Sequence, residues 1–322
     1  MDTDKLSEKE LELVLRLKEK YESEGEGFAD HLEGLVYSDF MNYWDYIGID
    51  ALLNLQKPKT KYPDEMIFII YHQISELYFK IIIHELEKIG FEKTITKELF
   101  VKRMKRINNY FHHLIYSFEA LVKGMDTAQF LAFRTALTPA SGFQSIQFRL
   151  IELWSTEFIN LLSKEHRNKF NSDSRIKEMY PYLYWTDGAT EKDTKEKTLT
   201  LRQFEDKYQN LIIRKGKEFV KKNLLVKYHE LPINDQQDEE VIQQLKTYDL
   251  NANINWPLTH YKQASRYLRR GSHVAKSTGG TNWQEYLPPQ FQKKTFYREL
   301  WSDEEIENWG KGWVTEQILE TP

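Results

Sequence analysis

Met66 to Ile89 reads MIFIIYHQISELYFKIIIHELEKI, a run that is apolar on nearly every helical face. It predicts a helix over 65–89 with protein on all sides. Yet the run carries His72, Gln73, Ser75, Glu76, Lys80 and His84. His72, Glu76, Lys80 and His84 recur at steps of four, which lays them along one slowly drifting stripe. Three readings are open. One is a buried polar network in which Glu76 and Lys80 pair. A second is a metal shared by His72 and Glu76, although no third ligand stands nearby and the Glu-x-x-His pairs of a di-iron bundle are absent. The third is a cofactor or substrate pocket with His72 as its polar handle. Periodicity alone does not choose.

Outward from this helix, helical periodicity continues and strand alternation does not appear. Leu6, Leu13 and Leu17 mark an amphipathic helix over 6–21. Phe100, Met104, Ile107, Phe111 and Leu114 mark another over 97–123. Further helices are predicted over 238–248 and 257–268. Gly and Pro are sparse at 14 and 9, so the fold class expected is all-α, in one domain over 1–322. The stretch 171–200, with Asp187-Gly188 and then TEKDTKEKT, predicts a polar surface excursion.

Composition excludes several functions. The formal net charge of −4 leaves no basic excess for general nucleic-acid binding. The chain has no cysteine, which removes disulfides, thiolate metal sites, iron–sulfur clusters and cysteine nucleophiles. The opening MDTDKLSEKE is too charged for a secretory signal, and no apolar stretch is clean enough to predict a membrane span. A cytoplasmic protein is expected.

Two further stretches carry candidate chemistry. In FLAFRTALTPASGFQSIQFRLIELW, Phe130 to Trp154, Phe130, Phe133 and Leu137 share a face beside Arg134. The helix should stop before Pro139. An arginine among aromatic rings can fork onto a carboxylate while the rings hold an aromatic ligand, or simply pair with an internal glutamate. In the second stretch, Trp256-Pro257-Leu258-Thr259-His260 starts a helix with proline in its first turn. Arg266, Arg269 and Arg270 follow, then a loop through Ser277-Thr278-Gly279-Gly280-Thr281-Asn282-Trp283. A helical histidine can present a nitrogen to haem iron, and basic residues suit propionates. A Thr-Gly loop can approach a charged ligand.

Taken in order, YWDYIGIDALLNLQ, DEMIFIIYHQISELYFKIIIHEL, FRTALTPASGFQSIQFR, WPLTH and TGG resemble the tryptophan 2,3-dioxygenase family over most of the chain. The resemblance implies a mostly helical, tetrameric enzyme containing haem b. Such an enzyme inserts both atoms of O₂ across the indole C2–C3 bond of L-tryptophan, giving N-formyl-L-kynurenine. It implies His260 as proximal haem ligand and His72 as the distal-side residue facing the indole N–H. Phe68 and Phe130 would wall the substrate, Arg134 would hold its carboxylate, and Thr278 would contact its ammonium and carboxylate end. Ser141 would stand in the distal pocket. Tyr43, Tyr46 and Ile47 would reach a neighbouring subunit's pocket. Two departures stand out: the interval from His260 to Thr278 is several residues longer than the family's, and Thr281-Asn282-Trp283 replaces small residues. His273 in that interval is a rival ligand, less suited because a loop histidine is less rigid. The alternatives are a related haem-dependent oxygenase acting on a modified indole or another aromatic amino acid, and a non-catalytic haem-binding protein.

Overall fold

The computed structural model describes residues 6–23, 27–38, 41–138, 140–171, 173–190, 194, 196–270, 273–274, 289 and 293–311; of 187, 263–270 and 273–274 it describes the backbone. Among the described residues the chain is all-α apart from a two-residue antiparallel ladder, Arg269–Arg270 with His273–Val274, and two isolated bridges, Leu162 with Leu183 and Thr190 with Lys197. It forms two compact units, Met1–Gln56 and Lys57–Pro322.

The first unit holds α1 (Glu8–Ser23), α2 (Phe28–Val36), α3 (Tyr43–Ile47) and α4 (Ile49–Leu53). The predicted leucine face of α1 is exposed, with no buried residue in that helix. Gly48 joins α3 to α4 in the left-handed region, at φ +63°, where a residue without Cβ is favoured.

The second unit is built around α5 (Asp64–Gly90). Around it pack α6 (Lys97–Ser117), α7 (Glu119–Gly124), α8 (Thr127–Phe133), α9 (Ile146–Ser155) and, beyond α10 (Ile176–Met179), α11 (Tyr184–Gly188) and α12 (Leu199–Phe219), the short α13 (Leu224–His229). Then come α14 (Ile233–Gln236), α15 (Glu239–Leu250), α16 (Trp256–Leu268) and α17 (Asp303–Glu307). Side-chain caps start many of these helices: Thr96, Asp126, Ser145, Thr198, Asn223 and Asp238 each accept a first-turn backbone N–H. The predicted stripe Phe100, Met104, Ile107, Phe111 and Leu114 is fully buried.

Four expectations change. The helix predicted over 97–123 breaks at Phe118, because the Ser117 hydroxyl donates to the Leu114 carbonyl (2.8 Å) and the turn tightens there. Within 171–200, Ile176, Met179, Tyr180, Leu183, Trp185 and Ala189 are buried, so apolar anchors tie the polar stretch to the core. Protein covers only one face of α5: Tyr71, Ser75, Phe79, Ile82, Leu86 and Ile89 are buried, while Met66, Ile70, Ile74, Leu77 and Ile81 are exposed. Among the described helices α5 alone is long and apolar enough to cross a bilayer, where the sequence predicts none. Its packing against α6 and α9 makes it the core helix of the second unit.

Candidate active site

Helix α5 presents Phe68 and His72 one turn apart. The His72 Nδ1 lies 2.7 Å from the Phe68 carbonyl oxygen, and the two rings are 4.1 Å apart. A carbonyl only accepts, so Nδ1 carries the hydrogen and Nε2 of the neutral ring keeps its lone pair. Burial holds His72 below the usual histidine range, against the Phe68 carbonyl and the Glu76 charge. The residue is nonetheless solvent-accessible. Both facts suit a ring on the wall of a recess, open to water on one side and surrounded by protein on the others. The Glu76 carboxylate accepts from Gln147 Nε2 of α9 at 2.8 Å, which ties α5 to the predicted pocket stretch.

Helix α8 supplies the aromatic wall. Phe68 lies 6.1 Å from Phe130 and 5.7 Å from Phe133, and those two are 5.6 Å apart, edge to face. Arg134 follows immediately, at the head of a 3₁₀ turn over Arg134–Leu137, half-buried and with its guanidinium partly desolvated. A reciprocal clasp sets α8 against α5. The Asp126 N–H donates to the Asp64 carboxylate (2.6 Å), and the Asp64 N–H donates to Gln129 Oε1 (3.2 Å). The backbone turns extended at Thr138, as a residue before proline should. Ser141 donates its N–H to Gln144 Oε1 (3.1 Å), and Gln144 in turn donates to the Thr200 carbonyl (3.2 Å).

His260 comes from α16. The predicted fresh helix start at Trp256 is instead a continuation: α15 runs through a π turn, Asn251–Asn255, directly into α16. Pro257 has no N–H for the regular ladder, and a wide turn just ahead of it absorbs the defect. His260 Nδ1 meets the Trp256 carbonyl at 3.1 Å, so here too Nε2 is left as the free ligand atom. Burial, with a smaller push from the nearby His72, lowers His260 to about 4 against the Trp256 carbonyl. The two imidazoles are therefore close enough to feel each other's charge. Rings connect them: His260 to Phe118 at 4.8 Å, Phe118 to Tyr71 at 5.3 Å, Tyr71 to His72 at 6.1 Å. Trp256 packs edge-on against His260 at 4.3 Å.

Phe68, His72, Phe130, Arg134 and His260 thus belong to the second unit, and ring contacts and charge link all but Arg134 directly. Tyr43, Tyr46 and Ile47 belong to the first unit, where they are exposed. Thr278 and Trp283 lie outside the described residues, as does Pro139. His273 falls in the short ladder, described by its backbone. Sequence reasoning passes over Tyr71, Phe118 and the Asp64 clasp. Phe133 is already marked by its place beside Arg134, whereas nothing in the sequence distinguishes Phe118 from other core aromatics.

An all-helical body holding two neutral imidazoles near each other, beside an aromatic wall, has the side chains a helical protein would use to take a planar cofactor or an aromatic ligand. The tryptophan 2,3-dioxygenase family model matches residues 33–284, and the chain belongs to that family. Similar curated proteins are the tryptophan 2,3-dioxygenases of Ruegeria sp. (strain TM1040), 43% identical over 36% of this chain, and of Polaromonas sp. (strain JS666 / ATCC BAA-500), 33% identical over 48%. Another is that of Bacillus thuringiensis (strain Al Hakam), 37% identical over 38% of this chain. These matches cover 42%, 53% and 44% of the relatives, so the chain spans about half the length of the curated relatives it matches.

Proposed function

We propose that the chain is a haem-dependent tryptophan 2,3-dioxygenase that opens the indole C2–C3 bond of L-tryptophan with O₂ to give N-formyl-L-kynurenine. The observation that carries this reading is the pair of neutral histidines, His72 and His260, each with Nδ1 tied to a carbonyl one turn back. That donor set fits haem b. His260 offers one rigid, uncharged imidazole nitrogen and would hold the haem iron. Haem held there would supply the chemistry that activates O₂.

The chain's own residues bind and orient the substrate. His72 Nε2 accepts the indole N–H, a positioning role that its lowered pKa favours over proton removal. Phe68 and Phe130 pack the indole, backed by the buried Phe133, and exclude water. Arg134 forks onto the substrate carboxylate, with Thr278 at the same charged end and Ser141 on the distal side. Tyr43, Tyr46 and Ile47 complete a neighbouring subunit's pocket in a cytoplasmic homotetramer, and the exposed apolar stripe of α5 supports an assembled state. The lengthened His260–Thr278 interval favours a second reading, oxygenation of a modified indole.

The test is anaerobic reduction of the haem-loaded protein, followed by L-tryptophan and air, with the product identified by mass. Gain of two oxygens with ring opening supports the dioxygenase. Gain of one oxygen without opening supports the second reading, and an unperturbed ferrous spectrum on adding L-tryptophan overturns the first.

A further inference from the structure

The π turn before His260 needs support. Tyr248, Ala252, Trp256 and His260 are spaced by fours, and each step of four overshoots a full α-helical turn by about 40°. In an unbroken helix three such steps would carry His260 about 120° off the face that buries Tyr248 and Ala252. The turn over Asn251–Asn255, where the Trp256 N–H reaches back five residues to the Asn251 carbonyl, takes up that drift. Such turns are rare and occur mostly as single-turn bulges inside α-helices, so what surrounds this one matters.

What holds this one is Asp249, fully buried at the end of α15. Its Oδ1 accepts from Asn253 Nδ2 (2.6 Å), in the middle of the π turn, and from the Phe296 N–H (2.9 Å). Its Oδ2 accepts from Trp301 Nε1 (2.9 Å) and the Tyr297 N–H (3.4 Å). The segment around Phe296 is itself anchored to α9: Thr156 Oγ1 donates to the Phe296 carbonyl (2.7 Å), and Lys294 pairs with the buried Glu152. Apolar contact repeats the link, since Ile254 of the π turn and Leu258 of α16 form a buried cluster with Trp301 and Trp309.

We infer that Asp249, clasping the 294–301 segment to the π turn, is the positioning residue that fixes the orientation of His260. The inference rests on the reading of His260 as haem ligand. Both carboxylate oxygens accept two N–H groups, so in Asp249→Asn either orientation of the amide turns an NH₂ group on two donors. Trp301→Phe removes one donor and keeps a ring.

The test uses the full chain in two states. In haem-free protein, hydrogen exchange of the 250–260 amides is expected to quicken at least tenfold in Asp249→Asn and less in Trp301→Phe, with α6 amides unchanged. In haem-loaded ferrous protein, the iron–histidine stretching band is expected to shift or split in the same order. Wild-type exchange and a wild-type band in both variants overturn the inference, and Trp301→Phe decides it if Asp249→Asn does not fold. His260→Ala is the control for the underlying reading. If it leaves the band intact, the ligand assignment and the positioning role both fall, whereas loss of the band leaves the exchange result to judge the clasp.

Discussion

His72 carries the sharpest residue-scale expectation. A neutral ring with Nδ1 committed to the Phe68 carbonyl can only accept at Nε2, so under the proposed function its contribution is one hydrogen bond to the substrate N–H. Removing such a bond costs about 0.5–1.5 kcal/mol. His72→Ala should therefore lower kcat/KM for L-tryptophan by roughly 2- to 13-fold, and by much less for 1-methyltryptophan, which has no N–H to offer. An equal loss on both substrates, measured by initial rates, would remove this role. Under the same proposal Arg134 addresses the substrate carboxylate. Arg134→Gln should raise KM by roughly 10- to 150-fold while kcat changes less, as steady-state kinetics would show. Asp249 gives the pH expectation: burial raises it to about 6 from 3.8, against its four N–H donors. A raised carboxyl binds its proton more tightly in the folded state, so its stabilisation is complete below about 3.8 and lost as pH rises through about 6. Wild type should gain up to about 3 kcal/mol relative to Asp249→Asn as pH falls across that window, read from urea midpoints of the haem-free proteins. An invariant difference between pH 7 and pH 4.5 would refute it. At this scale the sequence named His72, His260, Arg134 and Phe68 through ordered motifs, but not Asp249. An isolated aspartate in a helix carries no pattern, and its meaning comes from Phe296, Tyr297 and Trp301, more than forty positions away.

At the scale of elements, Gly90 shows a close approach that composition cannot reveal. It ends α5, and a Cβ there would meet Trp154 Cζ3 at 2.3 Å and the Lys222 carbonyl oxygen at 2.6 Å. The indole cannot retreat, because it stacks on Phe219 at 3.8 Å and meets Phe91 edge-on at 5.6 Å. Replacing a helical glycine by alanine ordinarily gains about 0.5–1 kcal/mol, whereas overpacking a filled core costs about 1–3 kcal/mol. The clash should win. Gly90→Ala is expected to lower the thermal midpoint by several degrees, while Gly124→Ala, with open space around it, should not. Calorimetry on the two variants side by side checks the sign. Helix existence and the buried face of α6 were legible because their apolar spacing is regular. The break at Phe118 and the continuity of α15 into α16 were not. The first depends on where the Ser117 hydroxyl turns, and the second on a π turn that proline alone does not announce.

For the whole molecule, the decisive feature is the two-sided character of α5. Its apolar run predicts a helix enclosed by protein, yet among the described residues of the second unit only the side bearing Tyr71, Phe79, Ile82 and Leu86 is enclosed. Met66, Ile70, Ile74, Leu77 and Ile81 fall within about 80° of one another around the helix axis, roughly opposite that buried side. Their relative exposures run from 37% to 51%, far from the near-zero values of the core face. A continuous stripe of five large apolar side chains on the longest helix is costly to leave in water, at about 25 cal/mol per Å² of apolar surface. A second copy of the chain would cover it. The sequence therefore carries a demand for burial but does not say whether the cover comes from the same chain. If assembly meets that demand, Ile70→Glu with Ile74→Glu should place two charges in the contact and reduce the assembly to smaller species, since an unpaired charge is strongly disfavoured in an apolar interface. Light scattering after size exclusion reads the mass, and circular dichroism checks that helicity is kept. Wild-type mass in the double variant would show that the stripe lies outside any subunit contact, and its apolarity would then need another cause.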